Sequence, residues 1–207
     1  MARETILDVA IRQFGDRGFE GASTRAIAAA AGTVMSSITY HFGSKEGLYL
    51  ACADHIVARI GEKFAPALDA ILPLEDMDRK QAIAAIISII ERIAQLMISD
   101  ESHDWASFII REQQDPGPAF DRLYRGFMFR MEEALLALIT LARPDLNERS
   151  ARALGISLFG QALVLRAARA TVIHILKVSD MGEAEKALML AQIRYNIEAI
   201  MRSDPSS

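Results

Sequence analysis

Ser36, Ser37, Thr39, Tyr40 and His41 crowd five hydrogen-bonding side chains into the stretch between Gly32 and Gly43. No acidic residue occurs between Arg25 and Lys45, and both of those ends are basic. Hydroxyls, an imidazole and flanking cations suit contacts to base edges and phosphate oxygens. Such contacts come from neutral side chains and backbone N–H groups as well as from full charges. Catalytic chemistry finds no comparable set. The histidines are His41, His55, His103 and His174, and the cysteine is Cys52. They form no HExxH pattern and no cluster at metal-ligand spacing. Glu101-Ser102-His103-Asp104 places serine, histidine and acid side by side, but neighbours on one turn do not converge as a triad must. No glycine-rich phosphate loop is present. The chain is read as a non-enzyme, with no metal and no cofactor.

The charge balance opposes a nucleic-acid role. Net charge is −4 and the pI about 5.6, whereas nucleic-acid binders are often basic. The first 55 residues set Arg3, Arg12, Arg17, Arg25 and Lys45 against Glu4, Asp8, Asp16, Glu20, Glu46 and Asp54. The candidate reader is positive only locally, which predicts a moderate number of ion-releasing phosphate contacts.

Those side chains need a scaffold, and the periodicity supplies helices. Strand patterns are nearly absent, so the fold class is all-α. Helices are expected at about 3–17, 24–31, 34–41, 44–64, 77–99, 102–113, 119–142, 147–177 and 183–202. Ile6, Leu7, Ala10, Ile11 and Phe14 form the apolar face of the first, and Gly18 ends it. Ser23 or Thr24 caps the second, Gly32 ends it, and Gly43 with Ser44 separates the third from the fourth. Pro66 and the segment 72–78 mark a connector, and Asn147 caps the helix after Pro144. Residues 24–42 thus form a helix-turn-helix, packed by Ile27, Ala28, Ala31, Val34 and Ile38. Its second helix would enter the major groove and present Met35, Ser36, Ser37, Thr39, Tyr40 and His41.

The run Thr24-Arg25-Ala26-Ile27-Ala28-Ala29-Ala30-Ala31-Gly32, followed by Ile38-Thr39-Tyr40-His41-Phe42-Gly43-Ser44-Lys45-Glu46-Gly47-Leu48, resembles the signature of the TetR family. Ala10, Phe14 and Gly18-Phe19 match the family's first helix. The resemblance covers about the first 50 residues. It implies DNA binding, with Tyr40 and Lys45 on phosphates, Thr24 and His41 on the backbone, and Ser36, Ser37 and Thr39 at base-reading positions. Arg25 joins this set as the basic residue at the start of the motif. Thr39 and Val34-Met35-Ser36 depart from the usual aromatic and polar or basic residues, which leaves the operator sequence open. Tyr40 could instead be a half-buried packing residue, Lys45 a solvated lysine and His41 a local hydrogen-bonder.

The stretch from Arg111 to Tyr124, with its Asp115-Pro116-Gly117-Pro118 break, is similar to the CecR-type subgroup. That similarity implies a small-molecule effector and control of genes linked to drug export or tolerance. The effector would lie between helices, with His103, Trp105, Phe108, Arg111, Phe120 and Phe127 as candidate contacts, and Glu112 and Met131 beside them. Simple packing of Trp105 and Phe108, and a structural role for Arg111 and Glu112, compete with that reading. His174 is read as a core histidine.

Apolar side chains recur at steps of three and four along 147–177. On the last helix Leu190, Ile193, Ile197 and Ile200 form one stripe, and Leu188, Ala191 and Tyr195 another. A surplus stripe suggests a partner helix, and the family resemblance implies a homodimer through helices about 147–177 and 183–202.

The expectation is therefore a DNA-binding domain at 1–50 and a ligand-binding and dimerisation domain at 51–207. Together they would make a homodimeric repressor that a small molecule releases from double-stranded operator DNA. A helix-turn-helix protein-interaction module without ligand control is the alternative. A single cysteine forms no internal disulfide, charges occupy positions 3 and 4, and the charge-free apolar runs 81–90 and 153–165 fall short of the roughly 20 residues a bilayer requires. A cytoplasmic protein with no membrane contact is expected.

Overall fold

The computed structural model describes residues 2–71 and 76–202. Every regular element among them is helical, as the periodicity predicts. The elements are α1 (Ala2–Gly21), α2 (Thr24–Ala30), α3 (Met35–Phe42), α4 (Lys45–Ile71), α5 (Arg79–Ile98), α6 (His103–Gln114), α7 (Pro118–Leu123), α8 (Phe129–Ala142), α9 (Glu148–Ala167), α10 (Arg169–Leu176) and α11 (Glu183–Arg202). A 3-10 turn, Asp100–Ser102, precedes α6, and a π-helical turn, Tyr124–Met128, joins α7 to α8.

The chain forms two compact units, Met1–Ala65 with His103–Arg130, and Pro66–Ser102 with Met131–Ser207. In the first, α1 buries Ile6, Leu7, Ala10, Ile11 and Phe14. It then turns at Gly18, whose φ of 73° lies in the left-handed region that glycine tolerates. α1 packs along α6. A Cβ on Gly15 would stand 3.0 Å from the Ser107 Cβ and 3.2 Å from the Phe108 nitrogen, so this glycine permits the close crossing. Of the two candidate caps, Ser23 is the one used; its side chain accepts from the Ala26 N–H at 3.5 Å. Ser44 Oγ accepts from the Gly47 N–H at 3.0 Å and so opens α4.

In the second unit, α5 starts with a reciprocal capping box between Asp78 and Gln81 and packs against α9 and α11. Ile86, Ile89 and Ile90 of α5, Leu158, Ala162 and Leu165 of α9, and Ile193 and Ile197 of α11 fill this core. By length and composition α5 could cross a membrane, but its apolar side chains lie in this helix-on-helix core.

Three helix expectations are corrected. The fourth helix runs past Pro66 to Ile71. Proline forfeits one backbone bond, yet Phe64 and Leu68, on one helical face, are both buried, and packing overrides the local break. The segment 119–142 is interrupted by the π-helical turn. The predicted helix 147–177 breaks at Ala168, where α9 and α10 diverge by 84°. Arg166-Ala167-Ala168-Arg169 favours helix, so the cause is tertiary. Arg166 donates to the Ser99 carbonyl and, at 2.9 Å, to Ser102 Oγ, and Arg169 donates to Asp180 at 2.5 Å. His174 is exposed rather than core. Residues 72–75 of the expected connector lie outside the described residues.

Candidate nucleic-acid interface

The helix-turn-helix is built by α2 and α3. Ile27, Ala28 and Ile38 are buried between them, and the turn closes through the Thr33 N–H to the Ala28 carbonyl at 2.9 Å. Gly32 and Gly43, with φ of 64° and 75°, bound the reading helix. Val34 departs from expectation. It does not help pack the two helices but stands 64% exposed at the N-terminus of α3.

On the outer face, Ser36 and Thr39 are exposed, and Tyr40 projects with 85% of its surface free. A half-buried packing role for Tyr40 is thereby set aside. His41 lies edge-on to Tyr40 with centroids 5.0 Å apart. Thr39 Oγ1 donates to the Met35 carbonyl at 3.5 Å, a weak bond that a base edge can replace. Ser37 is more constrained; its Oγ accepts from Thr33 Oγ1 at 3.0 Å. Arg25 is exposed on α2, and Thr24 begins that helix.

Lys45 is neither free nor at random. Its Nζ donates to the Glu20 carbonyl at 3.3 Å and stands 4.8 Å from the centre of the Phe19 ring. The lysine therefore ties the start of α4 to the end of α1. Arg3, which the sequence did not single out for DNA, brings its guanidinium 5.5 Å from the centre of the Phe42 ring. Only the folded chain shows this pairing.

An aromatic cluster joins α1, α4 and α6. Phe14 meets Tyr49 edge-on at 4.8 Å between ring centres, Phe19 meets it at 5.1 Å, and Phe108 lies at 4.7 Å. Tyr49 donates to the buried carboxylate of Glu112, whose other oxygen accepts from the Gly117 N–H at 3.3 Å. Burial, and then the bond to Glu112, push the Tyr49 phenol well above its ordinary ionisation range.

The six candidate effector contacts are not gathered in one place. Trp105 and Phe108 are buried core side chains. Arg111 donates to the Gly15 and Asp16 carbonyls at 3.1 and 3.0 Å, serving the turn of α1 before its kink at Gly18 as a capping cation does. His103 is exposed. Phe120 stacks on Tyr124 at 5.9 Å, and Phe127 meets Phe64 at 5.3 Å. An open cleft of about 620 Å³ is lined by Asp54, Val57, Ala58, Pro118, Asp121, Arg122, Arg125 and Gly126, none of them among the six. Its wall is tight at one point, because a Cβ on Gly126 would lie 2.6 Å from Val57 Cγ1. Among the described residues no group of three or more His, Cys, Asp or Glu side chains is placed to hold a metal.

Residues 6–52 match the family described as bacterial regulatory proteins, tetR family. Residues 82–203 match the C-terminal domain of the HTH-type transcriptional dual regulator CecR. The chain belongs to the TetR family, in its CecR-type subgroup. This TetR-family regulator is 29% identical over 205 residues to the HTH-type transcriptional dual regulator CecR of Shigella flexneri, covering 97% of this chain and 92% of that protein. Its fold is shared by AibR, solved with isovaleryl coenzyme A and operator DNA, at a TM-score of 0.69 and 16% identity over 94% of this chain and 96% of AibR. FadR from Bacillus subtilis, solved with stearoyl-CoA, shares it at a TM-score of 0.61 and 14% identity over 96% and 97% of the two chains.

Proposed function

We propose that this TetR-family regulator is a homodimeric repressor that a small molecule releases from double-stranded operator DNA. Residues 1–50 read the DNA, and residues 51–207 bind the effector and dimerise. The observation that carries the dimer is a set of exposed apolar side chains on α9 and α11. Ile156, Phe159 and Val164 on α9, and Leu188 and Tyr195 on α11, are all exposed, Ile156 by 73%. The stripe with Leu188 and Tyr195 is the surplus one read from the sequence. On α9 the exposed residues are instead the neighbours of the buried row. Apolar surface of this extent on two adjacent helices fits a four-helix interface with a second copy.

DNA contacts follow from the outer face of α3. Tyr40, His41, Lys45 and Thr24 serve the phosphates with Arg25, while Ser36, Ser37 and Thr39 serve base edges. A dimer must set its two reading helices about 34–36 Å apart to meet successive major grooves. An effector releases the DNA only if it prefers a dimer in which that spacing is lost. Phe120 and Phe127 are half-buried and remain the candidate aromatic contacts for an effector. The protein acts in the cytoplasm, where its DNA lies, and needs no cofactor. A dual role, repressing at some sites and activating at others, is a second reading; it is favoured by the designation of the full-length Shigella relative as a dual regulator.

Gel-shift titration tests the whole. Operator-bearing duplex from around the protein's own gene is challenged with an effector panel that begins with acyl-CoA thioesters, the ligands of AibR and FadR. Release of the duplex by one compound supports the reading. Specific binding that no compound changes would remove the regulatory half, and absence of any specific site would favour a protein-interaction module.

A further inference from the structure

We propose that Val34 and Met35 are specificity residues that read the 5-methyl groups of thymine in the operator's major groove. The inference rests on the DNA-reading role of α3 given above. Val34 is the N-cap of α3 and makes no side-chain capping bond. Met35 is the first residue of the helix. Val34 is 64% exposed and Met35 51%.

Both residues oppose what local physics favours. An N-cap is served by serine, threonine, aspartate or asparagine, whose side-chain oxygen accepts from an unpaired backbone N–H; valine offers none. The same chain uses Ser23, Asp78 and Asn147 in this way at the starts of α2, α5 and α9. An apolar side chain left in water also gains nothing from burial. Packing does not explain the valine, since Ile27, Ala28 and Ile38 already close the helix-turn-helix. Local rules broken together at one place mark a functional position.

The position selects the partner. In a helix-turn-helix the N-terminal residues of the second helix meet base edges. Adenine, guanine and cytosine present donors and acceptors in the major groove, and thymine alone adds a methyl group. The branched methyls of Val34 and the thioether chain of Met35 have no hydrogen bond to offer a polar edge, but they can cover a methyl. Ser36 and Thr39, exposed on the same short helix, supply the polar contacts around it. Such a reader selects duplexes with thymine under the start of α3 and discriminates against cytosine there.

The test begins by selecting bound duplexes from a random pool with the full-length protein. In the selected site each thymine is then replaced singly by deoxyuridine, which removes only the methyl, and affinity is read by fluorescence anisotropy. At one or two positions per half-site the loss should be about fourfold, the worth of one buried methyl. Val34→Ser or Met35→Ala should erase that loss at the matching position while leaving other positions unchanged. Val34→Ser also restores a capping oxygen, so it should raise the melting temperature rather than endanger the fold. Deoxyuridine tolerated at every position, or equal losses in wild type and both variants, would overturn methyl reading while leaving DNA binding intact. A pool that yields no bound duplex would overturn both.

Discussion

The phenol of Tyr49 donates its hydrogen bond to the carboxylate of Glu112, 63 residues further along the chain and buried with it. Glu112 also accepts from the Gly117 N–H. One carboxylate thus ties α4, α6 and the turn before α7 together. Tyr49→Phe removes a donor and leaves the buried carboxylate under-satisfied. The expected cost is about 1–3 kcal/mol in urea unfolding. A double-mutant cycle with Glu112→Gln should show coupling between the two sites, and additive losses would show that the bond carries no weight.

Alkaline pH should reach the same core. The Tyr49 phenol is raised by burial and by Glu112, and the Cys52 thiol is raised by burial and by Asp8. Both groups are neutral when protonated, and the unfolded chain loses these protons first, near the ordinary values of about 8.5 for cysteine and 10 for tyrosine. Their contribution to stability is fully present below those values and is lost as pH rises towards the folded-state ones. Urea midpoints measured from pH 7 to 11 should fall above about pH 9, and Cys52→Ala should make the first part of the fall shallower. A flat profile in this range would contradict the buried placement of both groups.

Gly47 fixes how α3 joins α4. A Cβ there would stand 2.0 Å from the Phe42 carbonyl oxygen, and backbone cannot rotate out of the way as a side chain can. Gly47→Ala should therefore displace the end of the reading helix and cost about 1–3 kcal/mol. DNA affinity should fall with it, whereas Gly61→Ala on the same helix, where the added methyl meets nothing within 4 Å, should leave affinity unchanged. Equal behaviour of the two variants would argue against the close approach.

Ile156 and Leu188 are exposed in the isolated chain, so Ile156→Glu and Leu188→Glu should leave the fold and its melting temperature intact. In the proposed dimer each would bury an unpaired charge, and association should weaken by more than about 2 kcal/mol. Sedimentation velocity over a concentration series would show the shift to monomer. A variant that sediments like wild type would move the interface elsewhere.

Local signals carried far in this chain. Gly32 and Gly43 stand where helices stop, and Gly18 where α1 kinks, because each takes a positive φ, and Ser23, Ser44 and Asn147 cap because their oxygens reach the next free N–H groups. The outer face of α3 was legible for the same reason, since period and residue type alone place Ser36, Thr39 and Tyr40 outside, where the structure has them. The surroundings of the candidate effector contacts were less legible. Phe108 is buried against Tyr49 whereas Phe120 stacks on Tyr124, and neither placement follows from the residues beside it. Arg111 looks like a ligand anchor until the α1 carbonyls appear beside it.

By itself the sequence determined the all-α class, the caps and stops of the N-terminal helices, and the spacing of hydroxyl, aromatic and basic groups on the reader. Those features depend on neighbours within a few residues. Tertiary structure alone decided that α4 continues through Pro66, that α9 and α10 part at Ala168, and that Val34 faces outward. It also decided that Tyr49 meets Glu112 and that Lys45 rests on Phe19. Each of these depends on groups distant in the chain, whose packing and hydrogen bonds outweigh local preference.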